Sequence, residues 1–421
     1  MDPKDPMKKD AASSLKAKNP KTDKSTTRPA HHANGTATSF KNPWPSANAP
    51  TWNELLQLSF PFTLYPHLHK HKHAQDIEVV KPDWGEAKLK AKNLKRGDSG
   101  AVIGTWLGHA GAFVEFLSPG ISEGVYALFD PIFSSRAGPT AYTGPGRFKK
   151  SPCRIADLPG CDAVFISHNH YDHLDLTSVN DVLKSFPETR WFVPLGNKKW
   201  LVNTGVKADL IVELDWWHDW EGQLGTKTTS ANFKVSCVPT QHTSGRSGLD
   251  KDSTLWAGWV LEKFSTGKTP AEKATRLAAV YHAGDTGYRR TTKSDIVCPA
   301  FKEIGSRFGP FDLSFIPIWR GGTLGFISYL GLRLSHHDIP SALHCSPTDA
   351  VAIHTDVQSQ NTIGIHFGTF IGSENESHDA IIEFCEARGE MDVKGLDDEE
   401  PGEKGRAGTV DIGASFVVAT G

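Results

Sequence analysis

From about residue 100 onward the chain alternates short apolar runs with polar, Gly- and Pro-bearing stretches. Val102–Trp106, Ala112–Phe116, Val125–Phe129, Ala163–Ile166 and Trp191–Val193 form a first group of runs. Phe233–Val238, Leu255–Leu261, Leu277–Tyr281, Leu313–Ile318 and Thr362–Ile365 form a second. Each is short and rich in β-branched or aromatic residues, which is the composition of buried strands. Helical spacing appears at Leu176–Ser185, Asp349–Val357 and His378–Arg388. After the acidic Asp397–Glu400, which with Pro401 and Gly402 reads as a loop, Ala414–Ala419 predicts a last strand. Strands and helices mixed in this way predict an α/β fold of two mixed sheets packed face to face with helices outside. No repeat of solenoid or propeller length is present.

The N-terminal part is different material. The first forty residues carry eight Lys or Arg against four Asp, with almost nothing apolar, and residues 1–43 read as a disordered arm. Residues 44–95 read as an extension whose most apolar piece, Leu55–Tyr65, is interrupted by Pro61. That piece either packs on the core or faces lipid. His67, His69, His71 and His73 alternate with Leu68, Lys70 and Lys72, a pattern that fits a solvated loop better than a built site. The main domain is expected over 96–421.

Chemistry concentrates in Ser167-His168-Asn169-His170-Tyr171-Asp172-His173-Leu174-Asp175, directly after the apolar Asp162–Ile166. Imidazoles and carboxylates together suit zinc or another borderline divalent ion. The His-x-His-x-Asp-His order lets alternate side chains face one ion and the last pair a second, and adjacent metals suit hydrolysis. Further donors stand at the ends of three other runs: His242 after Phe233–Val238, Asp285 in Gly284-Asp285-Thr286-Gly287, and His366 after Thr362–Ile365.

This set of histidines and aspartates resembles the metallo-β-lactamase superfamily. Asp130–Arg136, Gly144–Phe148, Trp191–Gly196, Glu213–Trp217, Arg307–Leu313 and Ile353–Val357 narrow the likeness to its N-acyl-phosphatidylethanolamine-hydrolysing phospholipase D branch, over about Gly104 to Phe370. The resemblance implies an αβ/βα sandwich with two Zn2+ ions per chain at the sheet edge. His168, His170 and His242 would hold one ion, and Asp172, His173 and His366 the other. Asp285 would bridge them, with Asp172 and Asp285 serving catalysis. His344, in Leu343-His344-Cys345, matches a family position near the substrate head group. The implied substrate is a phospholipid met at a membrane surface by a peripheral intracellular protein.

Some assignments stay open between two roles. His109 is a hydrogen-bond partner behind the ligands or a core histidine. Asp175 supports the ligand loop or starts a helix. Arg147, with Lys149 and Lys150, meets phosphate or lies in a solvated loop. His282 is expected to be structural. Homodimerisation is open as well.

Composition adds exclusions. A formal net charge of −2 and a pI near 6.8 argue against nucleic acid as a partner. Six cysteines without Cys-x-x-Cys spacing give no disulfide framework and no Cys-based zinc site. Neither a signal-peptide core nor a membrane-span-length apolar run occurs, and Asn34-Gly35-Thr36 is a glycosylation sequon only if the chain is exported. Two stretches depart from the family pattern: the basic Arg289–Val297 and the longer 320–343. The resemblance implies hydrolysis of N-acyl-phosphatidylethanolamine, or a related glycerophospholipid, to phosphatidic acid and N-acylethanolamine by a hydroxide between the ions; the two departures leave a lactone, amide or phosphorylated metabolite as the alternative substrate. A non-catalytic scaffold is disfavoured by seven competent ligand side chains.

Overall fold

Strand β2 (Gly100–Gly108) is buried along its whole length, as a strand covered on both faces must be. It belongs to a computed structural model that describes residues 29–49, 62–64, 70–265, 274–291, 294–319, 332–334, 342–370 and 374–420. A small ribbon pairs β1 (Phe62–Leu64) antiparallel with β13 (Leu332–Leu334). The other strands of the first half are β3 (Gly111–Ser118), β4 (Ile121–Phe129), β5 (Ala163–Phe165), β6 (Arg190–Pro194) and β7 (Ile211–Leu214). Those of the second are β8 (Asp219–Leu224), β9 (Ala231–Val238), β10 (Gly258–Phe264), β11 (Arg276–His282), β12 (Leu313–Pro317), β14 (Asn361–Ile365), β15 (Arg406–Gly408) and β16 (Ser415–Thr420).

They form two seven-stranded sheets, in the orders β16-β2-β3-β4-β5-β6-β7 and β15-β14-β12-β11-β10-β9-β8. Each sheet begins with antiparallel strands and continues parallel, from β4 to β7 and from β11 to β15. Parallel neighbours need crossovers. These carry α2 (Leu176–Ser185), α3 (Lys198–Thr204), α4 (Ala300–Phe308), α5 (Pro347–Asp356) and α6 (Glu374–Met391), whereas α1 (Glu86–Ala91) precedes β2. The inner faces share one core, in which Phe116 meets Phe233 edge-on at 5.0 Å and Phe165 meets Trp259 at 5.7 Å. Gly104 lets the layers close, because a Cβ there would lie 2.4 Å from Leu313 Cδ2.

The expected two-sheet α/β architecture is present, and α2 spans the predicted residues. The run Leu255–Leu261 differs. Strand β10 starts only at Gly258, because Leu255 and Ala257 donate their amides across to Leu195 O and Ser167 O, so these buried apolar residues form a bridge between strand ends. Strands β7, β8 and β15 and helices α1, α3 and α4 were not marked by the apolar pattern.

Residues 1–28 of the polar arm lie outside the described residues, as do most of Leu55–Tyr65, His67 and His69. From Pro29 to Ala49 the chain lies on the sandwich, with His31, Phe40 and Ser46 buried. His71 Nε2 lies 3.4 Å from Glu386 Oε1 on α6. Of the departing stretches, Arg289 pairs with Val297 in an antiparallel bridge and bonds Asp349 of α5. Most of 320–343 is outside the described residues. No helix among the described residues is long and apolar enough to cross a membrane.

Candidate metal centre

Loops following β5, β9, β11 and β14 leave the two sheets on the same edge and converge. The loop after β5 brings His168 Nε2 within 2.7 Å of His170 Nδ1, and the loop after β9 brings His242 Nε2 within 3.3 Å of that same atom. These three imidazoles form one donor group. A second group gathers His109, Asp172, His173 and His366. Between them, Asp285 Oδ2 lies 3.2 Å from His173 Nε2 and 3.7 Å from His242 Nε2, while Oδ1 lies 2.9 Å from His366 Nε2. All seven side chains of the expected ligand set are thus brought together, with Asp285 central.

Local backbone explains the convergence. Asp285 follows Gly284, whose φ is +61° and whose Cβ, if present, would sit 2.6 Å from Ser167 Cβ. Only glycine allows this approach. His366, His109 and Asp130 also have positive φ, at 64°, 55° and 38°, an uncommon conformation for such residues that is held here by surrounding bonds. The His366 amide donates to His109 O, and the His109 amide donates to Thr369 Oγ1.

Hydrogen bonds behind the donors fix which nitrogen faces inward. Asp130 accepts the Ser167 amide on Oδ1, and the Ser167 hydroxyl and His173 Nδ1 on Oδ2, at 2.6–2.8 Å. Since the Ser167 hydroxyl proton is committed to Asp130, its oxygen accepts from His168 Nδ1 at 2.9 Å. His242 Nδ1 donates to Leu343 O at 2.8 Å. His168, His173 and His242 therefore all turn Nε2 toward the centre. Arg246 holds the ligand loop from outside, donating to Asn169 O and Leu174 O and lying over the Tyr171 ring at 4.0 Å.

Electrostatics agree with a cation site. Burial pushes the pKa of His168 and His242 well below the ordinary imidazole range, so both are neutral donors. Burial opposes charge on His173 and Asp285 too, but the facing carboxylates hold His173 well above its usual range and the facing imidazoles hold Asp285 well below its own. Without a metal, this pair depends on a proton at His173. His173 Nε2, Asp285 Oδ1 and both nitrogens of His366 are buried, and although Asp285 lies close to both rings none of these atoms makes a well-directed hydrogen bond. Unsatisfied buried donors and acceptors are costly, and ones that converge with this chemistry fit two divalent cations. The open side is marked by Asp172 and His344, each with about 30% of the side chain exposed, while His168, His173, His242, Asp285 and His366 are buried.

His344 stands at this open face, Nδ1 3.8 Å from Asp285 Oδ2. His109 Nε2 donates to Asp172 Oδ2 at 3.0 Å, behind the ligands. Asp175 caps α2, accepting the Ser178 amide and the Ser178 and Ser134 hydroxyls, and belongs to neither donor group. Arg147 turns inward: Nε donates to Ser134 O and Nη2 to Ile132 O, the guanidinium packs over Phe370 at 4.5 Å, and Nη1 is buried without a hydrogen-bond partner. His282 is structural, donating to Ala110 O. Asp130 and Ser167 carry no signal of their own in the sequence, since a lone Asp ending a strand and a Ser beside the ligands have no periodicity.

Comparison with known proteins adds a lineage. Residues 126–367 match the model of the β-lactamase superfamily domain. The chain is 34% identical over 316 residues to the N-acyl-phosphatidylethanolamine-hydrolyzing phospholipase D 1 of Caenorhabditis elegans, covering 73% of this chain and 77% of that one. It is 30% identical over 275 residues to the mitochondrial enzyme of that description from Saccharomyces cerevisiae, covering 65% of this chain and 49% of that one. An uncharacterised Mycobacterium tuberculosis protein is 36% identical over 285 residues, 67% of this chain and 63% of its own.

Proposed function

We propose that this chain, which belongs to the N-acyl-phosphatidylethanolamine-hydrolysing phospholipase D family of the metallo-β-lactamase superfamily and is a metal-dependent hydrolase, cleaves the distal phosphodiester bond of N-acyl-phosphatidylethanolamine using two zinc ions. Water adds to phosphorus, the bond from phosphorus to the ethanolamine oxygen breaks, and phosphatidic acid and N-acylethanolamine leave. The observation that carries the reading is the convergence of two donor groups on Asp285 in a chain of this ancestry.

His168, His170 and His242 would hold one ion, Asp172, His173 and His366 the other, and Asp285 both. Bound there, the ions would supply Lewis-acid polarisation of the phosphoryl group and a lowered pKa for water. The chain's own residues do the positioning. Asp130 and Ser167 set the tautomers of His168 and His173, and His109 orients Asp172. His344 stands where the head group would arrive, and burial lowers its pKa to about 4. It is therefore a neutral imidazole near pH 7, able to donate a hydrogen bond to a phosphate oxygen without a competing charge. Substrate access from a membrane surface, by a protein that visits it peripherally, completes the reading.

The test is to incubate the zinc-loaded protein with N-acyl-phosphatidylethanolamine in mixed micelles and follow both products by mass spectrometry, with Asp285→Asn alongside. Release by the wild type alone is expected. No release by a protein shown to carry both metals would move the assignment to another ester or amide.

A further inference from the structure

Outside this centre, the described residues hold one more group of three metal-competent side chains, His31, His32 and Asp215. We infer that these three form a further divalent-cation site, which bolts the N-terminal segment 29–49 to the sandwich.

The contacts come from far apart in the chain. His31 Nε2 lies 2.7 Å from Asp215 Oδ1, and His32 Nε2 lies 2.9 Å from Asp215 Oδ2. All three donor atoms fall within 4.8 Å of one another. His31 and Asp215 are 7% and 6% exposed, so water competes poorly for them. Ring geometry matches that of the candidate catalytic donors: His31 and His32 stand edge-on with centroids 4.6 Å apart at 79°, and His168 and His242 stand at 4.6 Å and 78°. Packing presets both rings, since His31 stacks on Trp216 at 4.3 Å and His32 meets Phe40 edge-on at 5.4 Å.

Two imidazoles and one carboxylate are the donor set of zinc and of other borderline divalent ions. A tetrahedral site with bonds of about 2.0–2.1 Å separates its donors by roughly 3.3 Å, so the cluster must open by about half an ångström. The His168–His170 pair, at 2.7 Å, requires the same opening. The competing account is a metal-free clasp of two His-to-carboxylate hydrogen bonds.

An ion here would act on the catalytic loop through the segment it anchors. Eleven residues after His31, Asn42 Nδ2 donates to His242 O at 2.7 Å, and Ser46 Oγ donates to Gln241 Oε1 at 2.5 Å. The site would thus hold the strap whose far end sets the backbone of His242.

The experiment counts metal in the full chain. Wild type, His31→Gln/His32→Gln, Asp215→Asn and His168→Gln/His242→Gln are equilibrated against buffered micromolar zinc, and zinc per chain is measured by inductively coupled plasma mass spectrometry. Asp215→Asn is isosteric and keeps one carbonyl acceptor, so it serves where the double variant fails to fold. The expected result is one zinc per chain fewer in either clasp variant than in wild type, with that equivalent retained when His168 and His242 are replaced. A further expectation is that zinc raises the melting temperature of His168→Gln/His242→Gln, and that adding Asp215→Asn removes the rise. Equal zinc content in wild type and both clasp variants would overturn the proposal and leave a hydrogen-bonded clasp. Because the third variant disables only the candidate catalytic group, failure of that reading registers separately.

Discussion

At the scale of the residue, Asp130 receives the Ser167 amide and hydroxyl and the His173 imidazole, so one carboxylate sets the inward nitrogen of two candidate ligands. Asp130→Asn keeps the shape but offers an amide where His173 needs an acceptor, and it should weaken metal binding about 10- to 100-fold, the usual cost of losing such a partner. A competition titration with a chromophoric chelator measures this, and unchanged affinity would sink the argument. Gly284→Ala places a methyl group 2.6 Å from Ser167 Cβ at positive φ and should destabilise the fold by about 1–3 kcal/mol, read from urea unfolding. The His-rich loop was legible in the sequence because ligand chemistry is dense there. Arg147 was not, since nothing in a basic cluster says that its guanidinium turns inward to carbonyls.

At the scale of the element, α2 starts directly after Asp175, the residue that ends the ligand loop and caps the helix. Asp175→Ala removes an N-cap and two hydroxyl bonds and should cost about 1–2 kcal/mol, with a smaller effect from Asp175→Asn, compared by denaturant midpoints. The two sheets are also joined by Lys263 of β10, whose Nζ donates to Leu117 O of β3 at 2.6 Å and to Ser118 Oγ at 2.8 Å. Burial lowers its pKa to about 8. Between pH 8 and the ordinary lysine range near 10.4, the unfolded chain holds more protons, so this residue makes stability rise with pH in that window. Lys263→Met should flatten the rise, and urea midpoints at pH 7.5 and 9.5 that change alike in both proteins would refute it. Interior strands were readable because both faces are apolar. Edge strand β8, where exposed and half-buried residues alternate with charges, and the three-residue β15 offer too little apolar pattern to mark them.

At the scale of the molecule, the shared core does not depend on metal, but the unsatisfied centre does. Chelation should leave secondary structure in place while lowering the melting temperature, because a ligand at a thousandfold excess over its dissociation constant contributes about 4 kcal/mol. Coincident circular-dichroism melts with and without chelator would count against a bound cation. A chain begun at Pro29 should keep its activity, whereas one begun at Thr51, lacking Asn42 and Ser46, should lose it in part, since the His242 backbone then has no strap. The layered architecture was visible from strand and helix order alone. The packed course of residues 29–49 was not, because a few isolated anchors, Phe40 in the core and Trp44 stacked on Trp216, stand in polar sequence with no periodicity. The donors divide unevenly between the halves, with His168, His170, Asp172 and His173 following β5 and His242, Asp285 and His366 arriving only with the second sheet. A chain severed between β7 and β8 would therefore yield two fragments, neither with a complete cluster, and recovered hydrolysis on mixing them would work as a reporter of their reunion.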